Sequence, residues 1–428
     1  MVQGPSNTAN PMQPVFELDP QSVRCPYPAY STARTEQPVM WADRLQAWVV
    51  SRYDDIVSVL QQPQRFSSKW ASGPGGATSL AARVADDPSK DEALREMARR
   101  RVRIASSPVL LTADPPLHWR QRALVNRAFT PRRVAAMEQR IRALTDELVG
   151  ALAGRDEVDI VSGLSTPLPL GVIADLLAIP RSRMADFKRW SDSFVVAVGN
   201  VSLTDDDIAQ MLTSMNEFYD YFAGEIVNRQ QQPTDDLLSA IVHARLDGEE
   251  PLSNDEMLNM LVLFLVAGNE TTTNAITWAV LYLLEHPELE QQLRRDPSLI
   301  NGFVEEVLRF EAPVQGLFRT AVEDVEIGGQ RIAAGQHLWM VYGSGNHDPV
   351  AFADPEQFDV QRHFDKNHLT FGFGEHYCLG ASLARTETRV AVEVLLQRFP
   401  QIRLAASINC HRSFVIHGIP ELRVRLAP

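Results

Sequence analysis

The chain has 428 residues, 45% of them hydrophobic and 22% charged, the balance of a soluble globular protein able to bury a large core and still enclose a cavity. Its net charge of −13 argues against nonspecific binding to nucleic acid or to anionic membrane surfaces. The three cysteines, Cys25, Cys378 and Cys410, are too few and too scattered for a disulfide framework or a paired-cysteine metal site, and they suit a reducing cytoplasm.

Residues 1–15 read as a flexible leader rich in Pro, Asn and Gln, without the basic and apolar regions of a signal peptide. QAWVVSRYDDIVSVL (46–60) predicts a short strand running into an amphipathic helix. Residues 67–107 are the least regular part, and their charge run, ADDPSKDEALREMARRRVR, reads as a solvated helix face. From 117 to 300 helix follows helix. Pro131, Pro180, Pro233 and Pro287 mark boundaries there, because proline cannot donate to the helical ladder. Beyond 312 the texture turns to short β-like runs, VEIGGQRI and HLWMVYGS, before a last helix in LARTETRVAVEVLLQRF. The longest apolar stretch, MLVLFLVAG (260–268), is too short to span a bilayer. The expected fold is mainly α (α+β): a large helical lobe with a smaller β-rich part, one domain over 16–428, soluble, cytoplasmic and monomeric.

Within the helical region, Ser253 and Glu256 form a capping-box pattern and His286-Pro287 ends the run. The helix between them spans about 33 residues, on the order of 50 Å. It is apolar nearly all round and so crosses the interior. Its middle nevertheless reads Ala267-Gly268-Asn269-Glu270-Thr271-Thr272-Thr273-Asn274. A buried carboxylate is expensive unless paired, and glycine costs helix stability. The polar waist is either a satisfied cluster against another helix or a proton-delivery site, an acid beside a hydroxyl lining a watered cavity.

FGFGEHYCLG (371–380) places Cys378 at the end of a glycine-rich turn, just ahead of a helix. An isolated cysteine usually behaves as a small buried hydrophobe. Here Gly372 and Gly374 let backbone N–H groups turn towards the sulfur, and the following helix puts its positive end nearby. Both favour thiolate, which suits iron.

Phe371, Gly372, Gly374, His376, Cys378 and Gly380 fill the cysteine signature of the cytochrome P450 family, which the chain resembles over most of its length. Ala267, Gly268, Asn269, Glu270, Thr271 and Thr272 match that family's oxygen-activation motif. The resemblance implies haem b held between the long helix and the cysteine loop, with the Cys378 thiolate as its axial ligand. It assigns proton relay to Glu270 and Thr271, with Ala267 and Gly268 beside the cofactor. It implies propionate contacts from His118 and Arg122, four apart on one helical face, and from Arg319 and His376. Glu306 and Arg309 in VEEVLRF would be a structural pair, selected from three ExxR copies by position, with Arg362 as partner.

The activity so implied is monooxygenation, by hydroxylation or epoxidation, of a lipophilic small molecule such as a terpenoid, steroid, fatty acid or polyketide. Phe194, Val195, Val314, Leu317 and Phe318 suggest an apolar pocket, and Gln315 a hold on one polar group. The chain shows no iron–sulfur run or flavin domain, so electrons are expected from a ferredoxin or flavodoxin with its NAD(P)H reductase. Seven arginines and one acid, Glu138, between 120 and 142 read as its docking face, against the alternative of partnerless surface charge. Glu270-Thr271 counts against a peroxide-driven enzyme, and a ligand sensor lacks a visible output surface.

Overall fold

The structure, a computed structural model, describes residues 10–73, 77–128, 131–195 and 204–427, and at 77, 127–128, 131–134, 195 and 427 the backbone alone. The first nine positions of the expected leader lie outside the described residues. The remainder is ordered: Gln13–Phe16 forms a helical turn, and Met12, Val15 and Phe16 are at most 2% exposed. Burying such side chains contributes roughly 1.5–3 kcal/mol each, enough to pin a segment whose composition suggested a loose arm.

Two compact units are present. The first gathers residues 1–73, 136–168 and 271–428, and the second residues 74–135 and 169–270. A five-stranded sheet organises the first, in the order Val39–Ala42, Ala47–Val50, His337–Met340, Leu317–Ala321, Phe66–Ser67. Strand Ala47–Val50 runs parallel to His337–Met340 and is buried on both faces, as its AWVV sequence allows. The period of two divides the core. Trp48, Val50, Leu338 and Met340 join the helix Tyr53–Leu60 on one side. Ala47, Val49, Phe318, Trp339 and Val341 join Met12, Phe16, Tyr27 and Tyr30 on the other. VEIGGQRI forms a hairpin, Val325–Ile327 with Gln330–Ile332, whose two linking glycines both have positive φ (53° and 78°). A three-stranded antiparallel sheet of Glu157–Asp159, Arg423–Ala427 and Gln401–Leu404 completes this unit; its short strands carried no clear signal in the sequence.

Helices make up the second unit. The stretch read as least regular holds two of them, Ala77–Asp86 and Glu92–Ala105. Asp91 caps the latter by accepting from the Leu94 N–H, and Glu92 pairs with Arg95 and Arg99 at 2.8 Å on the solvent side. Ala98, Arg101 and Ile104 are buried on its other side. The helix Asp205–Gln231 brings Phe218 and Tyr219 against Phe194 of Met184–Val195.

The long helix runs Asn254–Glu285, 32 residues. Its capping box forms as the sequence predicts: the Ser253 N–H donates to Glu256 (2.8 Å), and the Glu256 N–H to Ser253 Oγ (3.2 Å). His286 follows its last residue, and Pro287 opens the next helix. None of the described helices is long and apolar enough to cross a membrane.

Candidate active site

Gly372 and Gly374 shape the cysteine turn, with φ of 72° and 71°. Any other residue would be strained there, and a Cβ at Gly374 would also stand 2.8 Å from the Leu60 carbonyl oxygen. The Cys378 N–H donates to the Phe371 carbonyl (2.9 Å) and the Tyr377 N–H to that of Gly374 (3.1 Å), which closes the turn. The helix Ala381–Arg398 starts directly after Gly380, so its positive end lies two residues from Cys378. Cys378 is exposed. Burial pushes the Cys25 thiol up, and the Cys410 thiol up to about 11; neither is placed to serve as a thiolate.

The turn is anchored from below. Glu306 and Arg309 are both 0% exposed. Arg309 donates to both Glu306 oxygens (2.7 and 2.8 Å), and Arg362 Nε donates to them at 2.9 and 3.1 Å. The Asp359 N–H adds a further bond at 3.0 Å. Arg309 also donates to the Asn346 carbonyl (2.8 Å), while Asn346 Oδ1 accepts from the Leu369 N–H (2.6 Å). Thr370 Oγ1 donates to the Leu308 carbonyl (2.6 Å). The buried triad thereby holds residues 369–370, where the cysteine turn begins.

In the long helix the polar waist separates by face. Asn269 is buried and its amide donates to Ser191 Oγ (2.8 Å), while Thr273 Oγ1 donates to the Ser165 carbonyl (3.0 Å). These two satisfy packing. On the opposite side Ala267 is exposed, and Leu263, Val266, Glu270 and Thr271 are only partly buried. Their spacing of three and four marks one helical face. A helix buried on its other sides is therefore left open along an apolar stripe that ends in an acid and a hydroxyl. Gly268 lies beside the stripe, and a Cβ there would come within 2.8 Å of Ile173 Cδ1.

Among the expected cationic residues, His118 is 1% exposed on the helix Leu117–Ala128, with Arg122 half-buried one turn on. Both belong to the second unit. In the first, Arg319 is buried on the strand Leu317–Ala321 and donates to the Phe318 carbonyl (2.7 Å). His376 Nε2 lies 3.0 Å from Ser68 Oγ.

Several pocket expectations need correction. Gln315 is 2% exposed; its Oε1 accepts from Tyr30 OH (2.9 Å) and its amide donates to the Ala312 carbonyl (2.7 Å), so its polar groups serve the core. Phe318 is 0% exposed and packs on Trp339 and Trp70. Phe194 is 4% exposed within the Phe218–Tyr219 cluster. Leu317 and Val314 remain half-buried, the latter bridged to Ile416. The Val195 side chain and residues 196–203 lie outside the described residues, as do the side chains of Arg132 and Arg133 from the expected docking face. Within that face Arg120 is tied to Glu256, and Arg142 to Glu393.

The sequence reading missed Glu305 and Arg385, which form a bidentate pair beside the cysteine turn. A doubled acid in VEEVLRF and an arginine seven residues after Cys378 were the available signals.

Haem needs a ligand for iron and cations for two propionates. Within the first unit, an exposed thiol at a helix start, a buried Arg319 and a half-buried His376 fit that demand. Comparison with known proteins agrees. A family model for cytochrome P450 matches residues 173–403. Cytochrome P450 107B1 of Saccharopolyspora erythraea is 37% identical over 408 residues, 92% of this chain and 94% of the relative. The steroid C26-monooxygenase of Mycobacterium tuberculosis is 35% identical over 378 residues, 88% of this chain and 87% of the relative. The crystal structure of CYP109E1 from Bacillus megaterium in complex with corticosterone superposes with a TM-score of 0.80 at 33% identity, covering 95% of this chain and 99% of that one. The chain therefore belongs to the cytochrome P450 family, with its fold, and is a bacterial-type haem-thiolate monooxygenase that carries haem b on a cysteine thiolate.

Proposed function

We propose that this enzyme inserts one oxygen atom into a lipophilic small molecule, with Cys378 as the haem ligand and Glu270 and Thr271 as the proton relay. The observation that carries this reading is the open stripe on the long helix, apolar from Leu263 to Ala267 and closed by Glu270 and Thr271. Relatives described as acting on a steroid or binding one support a substrate of that polarity.

Bound haem activates dioxygen so that one atom enters a C–H or C=C bond and the other leaves as water, at the cost of two electrons and two protons. The protein's own groups supply the rest. Cys378 provides an anionic sulfur, favoured by the helix end behind it. Arg319, His376, His118 and Arg122 would hold and neutralise the propionates. Leu263, Val266 and Ala267 offer apolar surface to the substrate and keep bulk water out. The Thr271 hydroxyl passes a proton forward and recovers one from Glu270 through water. Val314 and Leu317 border the substrate. A ferredoxin or flavodoxin, with its NAD(P)H reductase, delivers the electrons to a soluble, monomeric, cytoplasmic protein whose residues 16–428 act as one catalytic domain.

Thr271→Ala tests the relay. It should turn over NAD(P)H at a comparable rate while most of the electrons leave as hydrogen peroxide instead of product. Full coupling in that variant would overturn the relay.

A further inference from the structure

One side of the cysteine turn is covered by an ion pair that the steps above do not use. Arg385 lies on the first turn and a half of the helix that follows Cys378. Its guanidinium grips Glu305 with two parallel hydrogen bonds, one of them at 3.0 Å between Nη2 and Oε2. The planar group lies over the Phe371 ring, 4.4 Å from the centroid, and Nη1 donates to Tyr377 OH at 3.3 Å. Phe371 and Tyr377 are the two ends of the turn. The carbonyl of Phe371 is also the acceptor for the Cys378 N–H. A single side chain thus touches both ends of a loop that contains two positive-φ glycines and closes on the sulfur-bearing residue.

Glu305 is itself fixed. His368, 4% exposed, places Nε2 3.2 Å from Glu305 Oε2. Burial opposes ionisation of Glu305, but hydrogen bonds from His368 and Arg385 outweigh it and hold its pKa at about 2. The pair is therefore charged at any working pH. Side-chain exposures of 31% and 30% make a large direct gain in stability unexpected. What the arrangement does supply is geometry: a fork set by the carboxylate, a flat face on an aromatic ring and a fixed positive charge beside the thiolate loop. Gly372 and Gly374 carry no side chain to pack, so neither adds a side-chain restraint to that loop.

We propose that Arg385, clamped by Glu305, is a positioning residue for the Cys378 loop, holding the Phe371 ring and the sulfur in the geometry that keeps the thiolate on iron. The cation also favours the more negative reduced state of a thiolate-bound iron, so its removal lowers the reduction potential. This proposal rests on the reading of Cys378 as the haem ligand.

The test compares the full-length haem-loaded protein with Arg385→Gln, Arg385→Lys, Glu305→Gln and the Glu305→Gln/Arg385→Gln double variant. Two readouts other than turnover are taken: the share of the reduced carbon-monoxide complex with the strongly red-shifted Soret band, and the haem reduction potential. Arg385→Gln should show a several-fold larger share of the unshifted form and a lower potential. Arg385→Lys should keep a potential close to the parent's, because the charge remains, yet lose part of the red-shifted form, because fork and flat face are gone. Glu305→Gln should lose part of it too, and add little in the Arg385→Gln background. A parent-like spectrum and potential in Arg385→Gln would overturn the proposal, as would an undiminished Glu305→Gln effect in the double variant. If Arg385→Gln fails to load haem, Arg385→Lys decides: a wholly red-shifted band there contradicts the positioning role. A parent without the red-shifted band would instead remove the Cys378 reading, and this one with it.

Discussion

Glu306 and Arg309 carry opposite charges at 0% exposure, and almost every polar atom they have is bonded. Removing one partner leaves the other charged and buried, which costs about 3–5 kcal/mol. Arg309→Leu should therefore lower the yield of folded protein sharply and depress the melting temperature by many degrees; a melt within two or three degrees of the parent would contradict the triad's supporting role. Such residues were legible because an ExxR copy could be selected by its distance from Cys378. Side chains on the strand Leu317–Ala321 were less so. Strand alternation sends Phe318 to the core with Trp339, on the face opposite Leu317, and apolarity alone does not say which face is the pocket. Gln315 failed similarly, since nothing local foretold that Tyr30, far away in sequence, would occupy its oxygen.

Among the elements, the long helix was the most legible, because a capping box and a proline fix its ends and its apolar length excludes other readings. The charge run was read as a solvated helix face, and the helix Glu92–Ala105 forms there with its charges paired along one side, whereas Ala77–Asp86 was hidden by an adjacent Gly/Pro-rich stretch. The cysteine turn depends on backbone that only glycine adopts easily. Gly374→Ala meets both a φ of 71° and the Leu60 carbonyl, a combination costing on the order of 1–3 kcal/mol for the strained backbone alone. The variant should fold but hold haem weakly, seen as faster loss of the cofactor to a competing apoprotein. Retention equal to the parent's would show that the turn tolerates a side chain there.

For the whole molecule, the change of texture near 312 was visible in the sequence, but the division into two units was not. One of its boundaries falls between Glu270 and Thr271, inside one continuous helix. Helix continuity is a local property, whereas membership of a unit is set by long-range contacts that periodicity does not report. Stability against pH follows from carboxyl groups shifted in opposite directions. Glu305 is held at about 2, and Glu306, against the cost of burial, is held below its ordinary value by Arg309. Their contribution is complete above the ordinary carboxylate range and is lost as pH falls below it, for Glu305 towards 2. Burial pushes Glu387 on the cysteine helix well above 4.5, so it is uncharged when folded but ionises on unfolding, and its contribution declines as pH rises. Glu387→Gln should then melt higher than the parent by a margin that widens from pH 5 to pH 8; a constant margin would contradict the assignment.

Thiolate ligation by Cys378 is the claim on which the site, its relay and its positioning pair depend. The direct measurement is the absorption spectrum of the purified, dithionite-reduced protein with and without carbon monoxide, beside Cys378→Ala. A strongly red-shifted Soret band, present in the parent and lost in the variant, is the predicted result. A band typical of histidine ligation in the parent, or one unchanged by the substitution, would contradict it.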